Sequence, residues 1–386
     1  MKYNFDKVID RSGTSAEKVE GLKHIWGRTD LIPLWVADMD FATAPFVTDA
    51  IRKRCENEVL GYTGKPDSYY NAIINWVKQR YDLVVAKEMI NFVPGIVPGI
   101  GMAMNCFTQK GDKVMIQPPV YHPFAWVTTR NERTLVTNPL KWENGMYRMD
   151  LDTFREQIKG CKLFILCNPH NPGGVVWTEA ELRAIADICY DEKVLVFSDE
   201  IHADLTLPPH THRPFATVSE KARMNSVTFM SPSKAFNMPG LSASHALIFN
   251  EDLRKRFRIY MDAGELDMGH VFAFLSVEAA YSHGTEWLDQ CLAYIQGNID
   301  FVDEFLKKHA PKIKAIRPEA SYLVWLDCRE LELSQKDLNE FFVDKAHLAL
   351  NDGEMFGKEG IGFMRLNVAS PRCIIEKAMK QRGLAT

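Results

Sequence analysis

The sequence lacks the features that mark several classes of protein. None of its eight cysteines lies in a CxxC pair, so neither a metal site nor a disulfide framework is indicated. No apolar run is long enough to span a bilayer, and residues 1–20 lack the apolar core of a signal peptide. Repeats and low-complexity tracts are also missing, which argues against a solenoid. We therefore expect mostly buried, reduced thiols, no metal and a cytoplasmic location.

An excess of charge of either sign is also missing. The formal net charge is −4 and the sequence pI is about 6.3, so no concentrated basic surface is available for nucleic acid or an anionic membrane. The 46% hydrophobic and 25% charged residues are ordinary for a globular protein. With 386 residues the chain exceeds the usual size of one hydrophobic core. We expect two domains and a small-molecule partner.

Short apolar runs alternate with amphipathic segments between Gly99 and Asn250. The predicted strands are Lys113–Gln117, Cys161–Cys167, Val194–Ser198, Ser226–Met230 and His245–Phe249. A helix is predicted over Thr178–Lys193, because Thr178 and Glu181 have the spacing of a capping box. This alternation predicts a mostly parallel α/β sheet, which binds its ligands at the carboxyl ends of the strands.

The last third of the sequence has a different pattern. It becomes helical after Met261, and we predict one uninterrupted helical segment over Phe272–His309. Short strands of a smaller α+β unit are then predicted over Lys312–Arg317, Tyr322–Asp327 and Gly362–Asn367. We predict a large domain over residues 46–285 and a small domain formed by residues 1–45 and 286–386.

A lysine follows the predicted strand Ser226–Met230, in the sequence Ser231-Pro-Ser233-Lys234. In a crevice, desolvation lowers the proton affinity of a lysine and leaves its amine able to attack a carbonyl carbon. The two serine hydroxyls are candidates for binding phosphate. The alternative interpretation is a Ser/Pro turn with a surface lysine.

Three polar residues lie after or within other predicted strands. Asp199 follows an apolar strand and is a candidate partner for a protonated pyridine nitrogen, although it also suits the cap of a following helix. Asn171 lies in an Asn-Pro turn that can hold an amide against a ring hydroxyl, a weak signal by itself. Arg365 lies within a short apolar strand, where its guanidinium needs a carboxylate.

Two further segments have the character of a ligand site. The turn Pro94–Gly99 precedes a predicted helix over Ile100–Thr108, and free amides at a helix start suit a phosphate. An ordinary turn between strand and helix explains this segment equally well. Tyr121 lies just beyond a strand and is a candidate for stacking on a flat ring, the alternative being an ordinary buried tyrosine.

In order and spacing these segments resemble the aspartate-aminotransferase fold, fold type I of the pyridoxal 5'-phosphate (PLP) enzymes, over nearly the whole chain. The resemblance implies that Lys234 forms the Schiff base, Asp199 meets the pyridine nitrogen and Tyr121 stacks on the ring. It also implies that Asn171 and His202 lie near the ring hydroxyl. The substrate carboxylate would bind Arg365. The groups implied to bind phosphate are the amides of Gly95, Ile96 and Val97 and the hydroxyls of Ser231 and Ser233.

Within fold type I the chain resembles the cystathionine β-lyase and cysteine C–S lyase subgroup. The stretches that carry this resemblance are Leu34–Phe41, Gly61–Thr63, Pro94–Ile100, Pro118–Phe124 and Ser198–His202. The resemblance implies α,β-elimination from cystathionine or related cysteine thioethers, with release of pyruvate, ammonia and a thiol. It further implies a homodimer with shared active sites, in which Tyr62 reaches the phosphate and the substrate of the neighbouring subunit.

Three positions depart from the pattern of related enzymes. Ser242 stands where aminotransferases of this fold usually carry an arginine, and because the lyase subgroup tends to lack that arginine, elimination is favoured over transamination. Gly173 stands where serine or threonine is frequent. His122 follows Tyr121 where other residues occur, and its role stays open. The alternatives are a PLP-dependent aminotransferase of the same fold and a PLP-bearing transcription modulator.

Overall fold

The structure is a computed structural model, and it describes residues 2–381 and 384. The strands are β1 Ile32–Pro33, β2 Ile90–Val93, β3 Lys113–Ile116, β4 Thr134–Thr137, β5 Lys141–Glu143, β6 Met146–Arg148, β7 Cys161–Cys167, β8 Leu195–Asp199, β9 Ser226–Met230, β10 Ser244–Leu247, β11 Lys314–Ile316, β12 Leu323–Asp327, β13 Leu348–Ala349, β14 Asn351–Asp352 and β15 Phe363–Asn367. The helices are α1 Glu17–Trp26, α2 Pro45–Cys55, α3 Asp67–Tyr81, α4 Ile96–Phe107, α5 Pro123–Arg130, α6 Leu151–Gln157, α7 Glu179–Asp191, α8 Glu220–Met224, α9 Glu251–Asp262, α10 Val271–His283, α11 Thr285–His309, α12 Gln335–Glu340 and α13 Arg372–Met379.

A seven-stranded sheet with the order β2-β10-β9-β8-β7-β3-β4 forms the centre of the protein. The strands β4, β3, β7, β8 and β9 are mutually parallel, and β10 is antiparallel to both of its neighbours. Strands β2 and β9 are buried along their whole length, as expected for a sheet with helices on both faces. The predicted, mostly parallel α/β architecture is confirmed.

Several local predictions are confirmed residue by residue. Strands β7 and β9 have the predicted bounds. Helix α7 starts with the predicted capping box, in which Thr178 Oγ1 accepts the amide of Glu181 at 3.2 Å and Glu181 Oε2 accepts the amide of Thr178 at 2.9 Å. For β10 the predicted bounds, His245–Phe249, were wrong at both ends, because the strand covers Ser244–Leu247.

Two helix predictions were wrong. Helix α4 begins at Ile96 rather than Ile100, because Pro98 lies in the first turn, where a helix needs no amide donor from it. The segment predicted as uninterrupted is broken between α10 and α11 at Gly284. A Cβ there would lie 2.3 Å from the ring of Phe236, so the close packing at this break excludes a larger residue.

A second, four-stranded antiparallel sheet has the order β11-β12-β15-β14. Residues from the start of the chain join this part of the molecule, since β1 pairs in parallel with β13. The predicted association of the two chain ends is therefore present, and the domain boundaries at residues 45/46 and 285/286 stay a prediction. In the described part of the chain, no helix combines the length and the apolar character needed to cross a membrane.

The cysteines are free thiols, and most of them are buried, as expected. The exceptions are Cys55 and Cys373, which are exposed, and Cys106, which is partly exposed. The buried ones are Cys161, Cys167, Cys189, Cys291 and Cys328.

Candidate active site

A cavity of about 200 Å³ opens at the carboxyl ends of β7, β8 and β9. Parallel strands bring the residues that follow them to the same edge of the sheet, which is where α/β proteins bind ligands. The lining residues are Ala37, Pro94, Gly95, Ile96, Val97, Pro98, Tyr121, Cys167, Asn171, Asp199, Ile201, His202, Ser233, Lys234, Pro239, Ser242, Ala243 and Ser244. Most of the residues singled out in the sequence therefore meet in one place.

Lys234 lies in the turn after β9 and reaches the cavity. Its Nζ donates a hydrogen bond of 2.5 Å to the carbonyl oxygen of Ala37. Desolvation lowers the pKa of the lysine amine to about 8, against the opposing effect of the Asp38 carboxylate. Roughly a tenth of the amine is thus unprotonated at pH 7, far more than for an ordinary lysine, and available as a nucleophile or base.

Asp199 is the last residue of β8 and is buried. Its Oδ1 accepts the backbone amide of Ile201 at 3.0 Å, so the capping role considered for this residue is present as a turn rather than a helix start. Burial raises the pKa of the Asp199 carboxyl to about 7, and the neighbouring Glu200 adds to the rise. A carboxylate placed in this way needs a cationic partner to stay charged, and a protonated pyridine nitrogen is such a partner.

Asn171 and His202 are buried and flank the same cavity. His202 Nδ1 has no hydrogen-bond partner among residues 2–381 and 384. Burial lowers the pKa of His202 to about 3, so its ring is neutral at physiological pH and has one nitrogen that can donate a hydrogen bond. An unpartnered buried nitrogen facing a cavity suits the hydroxyl of a bound ring.

Tyr121 lies between β3 and α5 and presents a flat ring to the cavity. Its amide donates to the carbonyl of Asn171 at 3.0 Å, and its ring packs edge to face on Phe124 at 5.7 Å. Burial raises the pKa of the Tyr121 hydroxyl to about 12, with the Asp199 carboxylate adding to this rise. The tyrosine is therefore fixed in place and protonated, and its ring is available for stacking.

One end of the cavity is suited to a phosphate. Helix α4 starts at Ile96 after its N-cap residue Gly95, so the amides of the first turn have no partners within the helix. Ser233 and the unpredicted Ser244 line the cavity with the same group of residues. The Ser231 hydroxyl donates to the carbonyl of Ala243 at 2.7 Å, so in this chain it holds the turn rather than facing the cavity.

Arg365 lies in the middle of β15 and is buried. Its Nη1 donates to Asn171 Oδ1 at 3.0 Å, which joins the arginine to the cavity. Its Nη2 donates to Asn351 Oδ1 at 2.5 Å and to the Trp35 carbonyl at 3.2 Å. Burial lowers the pKa of Arg365 to about 10, so the guanidinium stays charged at neutral pH. A buried cation without a carboxylate among these partners suits an anionic substrate group.

Tyr62 does not join the other predicted site residues within the single chain. It lies on the segment between α2 and α3, and its side chain is 99% exposed. A separate groove holds Tyr62 together with Lys65, Asp267 and His270. The prediction that Tyr62 serves a neighbouring subunit is compatible with this exposure, and it stays a prediction.

The departures from related enzymes have different structural settings. Gly173 is required by packing, because a Cβ there would lie 2.8 Å from the ring of Tyr147 and 2.9 Å from that of His170. Ser242 lines the cavity with a left-handed backbone conformation, φ 48°. His122 packs against Trp126 with 4.4 Å between ring centroids, and burial lowers its pKa to about 4.

Besides Ser244, sequence reasoning missed two residues that shape this site. Ala37 contributes only its backbone carbonyl, which no side-chain pattern reveals, although it lies within the stretch Leu34–Phe41 that carried the resemblance. Asn351 lies in a two-residue strand, too short to stand out in the sequence. Both residues meet the site only through tertiary structure.

The sheet topology and the lysine, aspartate and tyrosine at its carboxyl edge define the class of PLP enzymes of fold type I. The chain belongs to the aminotransferase class I and II family, whose sequence pattern matches residues 29–379. Cystathionine β-lyase PatB from Bacillus subtilis is 38% identical over 98% of both chains.

Solved structures agree with this assignment over almost the full length. A PLP-bound protein from Clostridium difficile 630, described as an aminotransferase, has a TM-score of 0.96 and 41% identity, covering 98% of both chains. The PLP-bound C–S lyase from Staphylococcus hominis has a TM-score of 0.90 and 36% identity, covering 98% of this chain and 96% of that one.

Proposed function

We propose that the chain is a PLP-dependent carbon–sulfur β-lyase, which cleaves cystathionine or related L-cysteine S-conjugates to pyruvate, ammonia and a thiol. The observation that carries the proposal is that Lys234, Asp199 and Asn171 line the same cavity. Asn171 in turn accepts a hydrogen bond from the buried guanidinium of Arg365. The similarity to proteins named cystathionine β-lyase and C–S lyase supports the choice of reaction.

The residues present suit PLP. Lys234 would hold the cofactor through its aldehyde carbon, and Asp199 would pair with the ring nitrogen. Tyr121 would stack on the ring, with Asn171 and His202 at the ring hydroxyl. The groups that would bind phosphate are the amides of Gly95, Ile96 and Val97 and the hydroxyl of Ser233, joined by Tyr62 of a second subunit. Bound PLP supplies an electron sink for the bond at the substrate Cα.

The chain's own groups then account for the proton transfers. Arg365 holds the substrate carboxylate and so fixes the Cα next to Lys234. As a free amine with its pKa lowered to about 8, Lys234 would remove the Cα proton of the bound substrate. Departure of the sulfur as a thiolate completes the elimination, and one water is consumed in forming pyruvate and ammonia.

The main alternative is an aminotransferase of the same fold. Ser242 argues against it, because the arginine that aminotransferases of this fold usually carry is replaced by a hydroxyl at the edge of the cavity. A PLP-bearing transcription modulator is a second alternative, and it is compatible with lyase activity. No surface feature of the described residues singles out a protein partner for that role.

We further propose that the chain works as a cytoplasmic homodimer with shared sites. Val59, Leu60 and Tyr62 lie on one segment beside Met268 and are 72%, 58% and 99% exposed. A contiguous exposed apolar patch of this kind is typical of a protein–protein interface. Mixing two inactive variants, Tyr62→Phe and Lys234→Ala, tests this arrangement. Shared sites predict partial recovery of activity in the hybrid, whereas a monomer in light scattering or no recovery contradicts them.

A product assay over a panel of cysteine S-conjugates and amino-acid/2-oxo-acid pairs tests the proposed reaction. We expect stoichiometric pyruvate and thiol from cystathionine or related thioethers, and slow amino transfer. Rapid amino transfer without pyruvate release would make the chain an aminotransferase. Borohydride treatment of the holoenzyme should fix the cofactor on Lys234, and a label on another lysine would remove the basis of the proposal.

A further inference from the structure

The carbonyl oxygen of Ala37 accepts hydrogen bonds from two directions. Lys234 Nζ donates to it at 2.5 Å, and the hydroxyl of Tyr322 donates to it at 3.0 Å. Tyr322 is fully buried, and burial raises the pKa of its hydroxyl well above the usual value, so the hydroxyl keeps its proton and stays a donor. The catalytic lysine and a buried tyrosine therefore share one acceptor.

The backbone on both sides of Ala37 is also held by side chains. Asn367 Nδ2 donates to the carbonyls of Val36 and Asp38, both at 2.7 Å. Arg365 Nη2 donates to the carbonyl of Trp35 at 3.2 Å. We call residues 35–38 the strap. Four consecutive carbonyls of the strap are thus fixed, and Ala37 cannot shift without breaking bonds to its neighbours.

We propose that Tyr322 is a positioning residue that acts on the amine of Lys234 through the Ala37 carbonyl. The inference rests on the proposed function, in which the lysine amine carries the Cα proton as a free amine. In the structure, the free amine of Lys234 donates a hydrogen bond to the Ala37 carbonyl of the strap. The lysine side chain has four flexible carbon–carbon bonds, so its amine can occupy many positions. Because Tyr322 also donates to the Ala37 carbonyl, this acceptor is fixed, and the hydrogen bond to it restricts the position of the Lys234 amine.

The substitution Tyr322→Phe tests the proposal, because it keeps the buried ring and removes only the hydroxyl. Tyr69→Phe is a matched control, since Tyr69 is also fully buried and its hydroxyl has no hydrogen-bond partner in the described part of the chain. The first measurement is the rate at which the apoprotein captures PLP on Lys234, followed by borohydride fixation. The second is the kinetic isotope effect on pyruvate release from a substrate deuterated at Cα.

We expect Tyr322→Phe to capture PLP severalfold more slowly and to reduce kcat about tenfold, the effect of losing one hydrogen bond, with KM nearly unchanged. Its isotope effect should rise, because proton removal becomes slower relative to the other steps. Tyr69→Phe should match the unsubstituted protein in both measurements. If Tyr322 only fills space, Tyr322→Phe and Tyr69→Phe will have the same PLP capture rate and the same isotope effect. That result would overturn the proposal.

Two safeguards keep the test decisive. Should Tyr322→Phe fail to fold, Asn367→Ala frees the strap on both sides of Ala37 and must give the same slower capture and larger isotope effect. Unchanged capture in that variant would contradict the proposal. An unsubstituted protein that releases no pyruvate would contradict the proposed function alone, while PLP capture by the apoprotein still decides the role of Tyr322.

Discussion

Asn351 and Arg365 are paired residues on neighbouring strands, and Asn351 Oδ1 accepts a hydrogen bond of 2.5 Å from Arg365 Nη2. The guanidinium is planar, so a bond at one nitrogen sets the direction of the remaining N–H groups. Arg365 Nε is buried and, within the described residues, has no hydrogen-bond partner. Asn351 therefore fixes the plane of the guanidinium, in which the free N–H would meet the carboxylate of the proposed substrate.

We predict that Asn351→Ala raises KM for the amino-acid substrate about tenfold or more, the usual effect of losing a hydrogen bond to a charged group. The value of kcat should change less, because the substrate carboxylate is bound in the ground state and the transition state alike. Steady-state kinetics of pyruvate release measure both constants. Asn339→Ala is the control, since the Asn339 amide binds Asp352 instead of the arginine. An unchanged KM in Asn351→Ala would contradict the role given to this residue.

A second prediction concerns the charge of Asp199. Asp199→Asn keeps an oxygen to accept the Ile201 amide at 3.0 Å, but removes the negative charge that would hold a protonated ring nitrogen. We expect kcat to fall at least about 100-fold, as for loss of a preorganised electrostatic group, while the cofactor stays bound. Asp204→Asn is the control, because this buried carboxylate binds Trp76 Nε1 at 3.0 Å and does not line the cavity. Equal losses in both variants would contradict the proposal.

A third prediction links stability to pH through His245. This histidine is fully buried, and burial lowers its pKa to about 3. Between that value and the unfolded pKa of about 6.5, only the unfolded state takes up the proton, so stability is retained above pH 6.5 and lost as the pH falls. At pH 5 this group destabilises the fold by about 2 kcal/mol.

Denaturant unfolding at pH 7 and pH 5 measures the effect. His245→Phe should lose about 2 kcal/mol less between the two pH values than the unsubstituted protein. His24→Phe, at an exposed position, should lose the same amount as the unsubstituted protein. Comparing each variant with itself at two pH values removes the cost of the substitution in packing. An equal pH dependence in His245→Phe and His24→Phe would contradict the assignment.

The sequence was most informative where local chemistry decides the structure. The capping box of Thr178 and Glu181 needs only a three-residue spacing, and the strands β7 and β9 are short, mostly apolar runs. The residues following parallel strands, such as Asp199 and Lys234, were predictable as neighbours because topology places the strand ends together.

Features that depend on distant packing were not predictable from the sequence. Gly284, at the break between α10 and α11, packs closely against the ring of Phe236, about fifty residues earlier along the chain. The strap is held by Asn367 and Tyr322, more than 280 residues away, and its acceptors are backbone carbonyls that no residue type identifies. The partners of Arg365 were likewise missed, although the arginine itself was recognised from its apolar strand.

The last prediction concerns Ser242, which lines the cavity where related aminotransferases usually carry an arginine. The residue already has a left-handed backbone conformation with φ 48°, so Ser242→Arg adds a cation without requiring a new backbone geometry. A guanidinium here can bind phosphate through two hydrogen bonds, and we expect the dissociation constant for PLP to fall about tenfold. Equilibrium dialysis measures this dissociation constant, with Ser242→Ala as the control for loss of the hydroxyl.

If the missing cation also favours elimination, Ser242→Arg should lower the ratio of pyruvate release to amino transfer, because phosphate binding changes how the cofactor ring is held. Tighter binding with an unchanged product ratio would show that Ser242 tunes cofactor affinity alone and that the choice of reaction depends on the substrate side of the cavity.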